Sequence, residues 1–127
     1  MVPTASDPPA VFYLTTVDRN EGLDLVEVEG ELEPVAVRRW SGLFQGAIKE
    51  GATGIAVDLR GCNAVDPLCI SVMVAASAKL KARGGGGVKL VTHPGSRLGR
   101  RLRSHPAEGL PSYASATGAL RSFGEIR

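Results

Sequence analysis

Cysteine is scarce in this chain, with only Cys62 and Cys69 among 127 residues. Two thiols make a poor disulfide scaffold, and they fit a reduced, cytoplasmic protein better than a secreted one. Histidine is equally rare, and neither C-x-x-C nor H-E-x-x-H occurs, so no metal or cofactor is expected. No apolar run approaches the ~18 residues of a membrane span. A net charge of +2 does not by itself call for nucleic acid. The opening MVPTASDPP lacks the basic start and apolar run of a secretory signal. Its Pro, Ser and Asp content predicts a disordered tail over residues 1–10, followed by one domain over residues 11–127.

What is present is enough to bury one core: 43% of residues are hydrophobic and 22% charged. Residues 11–17 (VFYLTTV) have the β-branched and aromatic content of a strand, DRNEG supplies a turn, and residues 23–29 (LDLVEVE) give a second strand. A loop is expected at residues 30–33, and Pro34 suits the first turn of a helix. Val37, Trp40, Phe44 and Ile48 recur at spacings of 3 and 4, and Gly51 closes that helix. The short run GIAVDL (residues 54–59) reads as a strand buried on both faces. A second helix starts after VDP, with an expected stripe of Ile70, Met73 or Val74, Ser77 and Leu80, and ends at four consecutive glycines. VKLVT (residues 88–92) is another strand. A basic helix over residues 96–104, a short extended piece near residues 110–114 and a last helix near residues 116–123 complete the chain. This alternation predicts an α/β fold in which the hairpin is antiparallel and the later strands parallel.

Three constellations carry chemistry. Asp66 and Pro67 are a good N-cap and first helical residue, which helix physics alone explains. A helix start at the carboxyl end of a buried strand is also where α/β sheets present sites, and its free N–H groups suit anions. Cys69 falls in that first turn, where the helix dipole can lower a thiol's pKa; a small apolar core residue is the plainer reading. Arg97, Arg100 and Arg101 belong to a basic run that could bind phosphate or anionic lipid, although a solvated face opposite Leu98 and Leu102 explains it equally well. No aromatics interleave with that run, which argues against nucleic acid. Gly84 to Gly87 lack the G-K-[ST] of a phosphate loop. Nothing in the chain positively supports an enzyme.

Four segments, in order, resemble the STAS domain shared by anti-sigma factor antagonists and the cytoplasmic tails of sulfate transporters. VEVEGELEP (residues 26–34) is similar to the family's second strand and G-E-L-D loop. IAVDLRGCNAVDP (residues 55–67) resembles its V-D-L-S strand and following loop. GGGVKLVTHPGSRLGRRL (residues 85–102) and SYASATGALRSF (residues 112–123) resemble its later strands and helices. The resemblance implies a mixed sheet of four or five strands carrying about four helices. The family's antagonists read D-S-[ST]-G-[LI] at the second helix start, and the second hydroxyl residue is the phosphoacceptor. Aligned on Asp66, this chain reads D-P-L-C-I: Pro67 and Leu68 replace both hydroxyls, and neither accepts phosphate.

The resemblance therefore implies a non-catalytic protein–protein interaction module in bacterial transcriptional or stress signalling. Its expected partner is an anti-sigma factor or a related kinase-like protein, and a homodimer is compatible with it. Docking is expected through Gly30, Glu31, Leu32 and Glu33 and through Asp66, Pro67, Leu68, Cys69 and Ile70, without phosphorylation control at the usual residue. The alternatives are an accessory STAS subunit of a lipid or anion transporter, or a sensor of a nucleotide or other small ligand.

Overall fold

A computed structural model describes residues 10–104 and 110–124. Residues 1–9 of the tail expected over residues 1–10 lie outside the described residues, as does His105. Ala10, placed in that tail by the sequence, is buried, and its carbonyl accepts a hydrogen bond from Arg39 Nη2 at 2.9 Å.

Strands β1 (Val11–Asp18) and β2 (Leu23–Leu32) form the expected hairpin, with Val11 opposite Glu29 and Thr16 opposite Asp24. Strand β3 (Gly54–Val65) runs parallel to β2, β4 (Gly87–Val91) parallel to β3, and β5 (Ser112–Tyr113) parallel to β4. The sheet has five strands in sequence order, β1-β2-β3-β4-β5. Each parallel step needs a crossover. A 3-10 turn (Pro34–Ala36) leading into α1 (Val37–Lys49) supplies the first, α2 (Pro67–Ala82) the second, and α3 (Arg97–Ser104) lies within the third. Helix α4 (Ala116–Gly124) ends the described chain.

The two faces of the sheet are covered unequally. Val26, Val28, Ile55, Val57, Val88 and Leu90 share one core with Trp40, Phe44 and Ile48 of α1 and Met73 and Leu80 of α2. Trp40 is its hub, with its ring edge-on to Phe12 at 5.0 Å and to Phe44 at 4.9 Å. On the other face α4 packs on β3, β4 and β5 around Ala56, Val91 and Ala119. Lys89 is buried there: its ammonium donates to Ser122 Oγ at 2.7 Å and lies 4.3 Å from the centroid of the Phe123 ring. On this side β2 adds Leu25 to the same cluster, and among the described residues no helix packs extensively on β1.

Two expectations are corrected. Residues 30–32 and 60–65 are not loops. β2 and β3 continue side by side, pairing Glu29 with Gly61, Gly30 with Cys62 and Leu32 with Val65 across two register shifts. Gly30 sits at φ 95°, which a side chain would strain, and this lets the strand shift register without ending. The inward stripe of α2 starts from Cys69 rather than Ile70 and continues through Met73, Ala76, Ser77 and Leu80. Ser77 belongs there because its Oγ accepts the Val88 N–H at 2.9 Å, pinning α2 to β4.

Candidate functional site

The extended β2–β3 pair delivers two chain segments to one place. Leu32 O accepts the Asp66 N–H at 2.7 Å, so the end of β2 and the residue before α2 are joined directly. Asp66 is extended (φ −64°, ψ 144°), and its Oδ2 accepts the Leu68 N–H at 2.8 Å, closing the cap expected from the sequence. Pro67 occupies the first helical position, where no donor is missed. The Cys69 and Ile70 N–H groups both bond Asp66 O, at 2.9 and 3.1 Å. Cap side chain and backbone thus satisfy the first-turn donors internally, which leaves less for an anion than a bare helix start offers.

The expected docking residues divide into two groups. Glu33, Pro67 and Leu68 are exposed, Leu68 at 55%. Gly30, Glu31, Asp66 and Ile70 are half-buried. Leu32 and Cys69 are buried at 1% and 0%, so their side chains shape this surface from beneath and present nothing to a partner. Cys69 also fails as a reactive thiol. Burial, then the nearby Asp66 carboxylate, then Cys62 push its pKa up to about 11, and Sγ lies 3.9 Å from Glu33 O. Burial likewise raises Cys62, whose Sγ donates to Ala64 O at 3.1 Å. The helix dipole is outweighed here by the apolar surroundings. Ser71, the nearest hydroxyl, donates to Pro67 O at 3.1 Å, four residues back along its own helix.

A groove of about 420 Å³ runs from the helix start between α1 and α2, which the sequence did not disclose. Leu68 and Val72 line it from α2, Val37, Phe44 and Ile48 from α1, and Ser41, Ser71, Gln45 and Lys79 add polar groups. Val35, on the 3-10 turn preceding α1, is 81% exposed. Trp40 locks the two helices together at this end, its indole N–H donating to Cys69 O at 3.1 Å. The signal for the groove lay in both helical stripes being wider than the sheet could cover. That residues of the two helices meet in one groove has no sequence signature.

Arg97, Arg100 and Arg101 are exposed on α3, whose Leu98 and Leu102 turn inward toward β3. They belong to a different helix from the Asp66 cap. Elsewhere, Asp58 and Arg60 pair on β3 through bonds of 2.9 and 2.7 Å. Burial alone would raise the Asp58 pKa; the Arg60 hydrogen bonds and charge outweigh it and hold the carboxyl below its usual range. Among the described residues, no group of three or more His, Cys, Asp or Glu could hold a metal ion, and no helix is long and apolar enough to cross a membrane.

No protein-family model and no curated protein sequence matches the chain. Solved structures do match its fold. An anti-sigma factor antagonist from Mycobacterium paratuberculosis superposes with a TM-score of 0.73 at 18% identity, covering 91% of this chain and 94% of that one. A putative anti-sigma factor antagonist from Thermotoga maritima gives a TM-score of 0.75 at 17% identity, over 89% and 94%. The unphosphorylated form of the antagonist SpoIIAA gives 0.68 at 19% identity, over 92% and 98%. The fold is STAS-like, as the order of motifs predicts.

Proposed function

We propose that this protein is a non-catalytic docking module of the anti-sigma factor antagonist kind, binding a regulatory protein through the start of α2 and the adjoining α1–α2 groove. One observation carries the reading: Leu68 stands in the first turn of α2, half exposed, at the mouth of an apolar groove. A large apolar side chain left in water at a helix start is a cost unless a partner covers it. Fully covering a leucine contributes about 1.5–3 kcal/mol. SpoIIAA, which shares the fold, is known in phosphorylated and unphosphorylated forms. Here Pro67 and Leu68 offer no hydroxyl at the corresponding helix start, so binding at this surface is set by partner supply rather than by phosphorylation of that residue. The buried, high-pKa thiol of Cys69 supplies no nucleophile, in keeping with a binding role.

The test is a calorimetric titration against each anti-sigma kinase-like protein of the source cell, followed by hydrogen-exchange footprinting of any complex. Protection gained in residues 66–72 and 35–41 is the expected result. Protection confined to α3 or α4, or no binding by any such protein, overturns the reading.

A further inference from the structure

The strand order leaves β1 at one end of the sheet, paired only with β2. Among the described residues no other strand pairs with its outer edge. Proteins ordinarily guard such an edge with charges, proline or shortness. The opposite edge strand, β5, is guarded by having only two residues. β1 has eight, and from residue 11 to residue 17 it reads VFYLTTV, with no proline and no Lys, Arg, Asp or Glu. Its one irregularity, between Thr16 and Asp18, lies at its end.

Among the described residues, four of the six exposed large apolar side chains also lie on this strand: Val11 at 42%, Tyr13 at 53%, Leu14 at 42% and Val17 at 45%. Leu14 projects toward the α1 side of the sheet, while Val11 and Tyr13 project to the side that α4 leaves bare. A helix laid on one face would therefore cover only part of the set. A strand added at the edge meets both faces at once.

We propose that the occupant is a second copy of this chain, its β1 antiparallel to the first and centred on Leu14, giving one continuous ten-stranded sheet. In that register Leu14 faces Leu14 of the second copy. Val11 faces Val17 and Tyr13 faces Thr15, so each exposed apolar residue finds a β-branched or apolar neighbour, the favourable kind of cross-strand pair. The nearest like charges across the seam are Asp18 of one copy and Glu29 of the other, two strand spacings apart at either end of the pairing. That separation is about 10 Å, still beyond the ~8 Å screening length at physiological salt. Ten strands remain within the usual limit of an open twisted sheet. Two strand edges bury less than the ~1,200–2,000 Å² of a standard interface, so the dimer is reversible and dissociates on dilution. This surface is separate from the α2 helix start, and the inference does not depend on the docking function.

Sedimentation of the full chain across a roughly thousandfold concentration range tests it. The expected result is a mass rising from one chain toward two. Leu14→Lys should weaken association at least tenfold while leaving the circular dichroism spectrum unchanged and lowering the melting temperature by no more than a few degrees, since Leu14 is 42% exposed. Leu14→Cys should cross-link to itself under mild oxidation. Thr16→Cys should not, because its two thiols would lie about 13 Å apart along the strands. Cys62 and Cys69 are buried and give a quiet background. A single-chain mass throughout, a dimer indifferent to Leu14→Lys, or equal cross-linking of both cysteine variants overturns the inference. So does a monomer whose Leu14→Cys thiol resists alkylation, since the edge would then be covered by another part of the chain.

Discussion

Replacing Leu68 with aspartate separates a docking residue from a core residue, because the two roles predict opposite pairs of results. In the free protein Leu68 is 55% exposed, so only about half of a leucine's 1.5–3 kcal/mol of burial is realised, roughly 0.7–1.4 kcal/mol. Leu68→Asp forfeits that amount. A carboxylate in the first turn recovers about 0.3–1 kcal/mol from the helix dipole. The net cost to folding is therefore at most about 1 kcal/mol, or a few degrees of melting temperature for a domain of this size. In the complex the variant loses the other half of the leucine's burial. It also places an unpaired carboxylate against an apolar groove, costing about 1–3 kcal/mol more. Affinity should fall at least tenfold, the equivalent of about 1.4 kcal/mol. Thermal melts of the free protein and calorimetric titration of the partner give both numbers from one preparation. A melting temperature depressed by ten degrees with unaltered affinity would refute the argument and make the VDPLCI segment a helix start and nothing more.

Other outcomes follow from the same geometry. Asp66→Ala removes the 2.8 Å cap bond and should cost about 0.5–2 kcal/mol in a urea titration, with Asp66→Asn recovering most of it. An unmoved midpoint would mean that the cap contributes nothing. Arg60→Ala leaves the Asp58 carboxylate largely buried without its main partner, and should destabilise by about 1–3 kcal/mol near neutral pH. The Asp58 pKa is held low when folded, so its contribution is fully present above the unfolded value near ~3.9 and is lost as pH falls through the lower folded value. The gap between wild type and variant should accordingly narrow below about pH 4, as denaturation midpoints at several pH values would show. Mass spectrometry after incubation with an anti-sigma kinase-like protein and ATP should find no phosphate within residues 63–72. Phosphate on Ser71 would reveal a displaced switch.

The fold was legible because its signals are local. Val37, Trp40, Phe44 and Ile48 mark α1 by spacing alone, GIAVDL and VKLVT mark buried strands by composition, and Asp66-Pro67 marks a helix start by capping chemistry. Where the reading failed, a second chain segment decided the outcome. GEL and RGCNAV look like loops until each is placed against the other, when pairing between them extends both strands. The inward turn of Cys69 at the expense of Ile70 depends on how α2 settles under the end of β2, a choice of helix rotation that periodicity fixes only to within a residue. The candidate site was read as a set of positions. Its division into presented side chains (Leu68, Pro67, Glu33) and supporting ones (Leu32, Cys69) required burial, which no short motif encodes.

The hydrogen bond from the Trp40 indole to Cys69 O has a practical consequence. Trp40 is the only tryptophan in the chain, and it is bonded to the first turn of the helix that carries Leu68. The fluorescence of the protein therefore originates directly beneath the candidate site. An indole sealed from water emits at short wavelength, and it shifts when its N–H partner moves or solvent enters. The protein carries its own optical reporter for events at the α2 start, without a label or an engineered probe. A binding event at the β1 edge would be sensed only indirectly, through the Phe12 ring that abuts the indole.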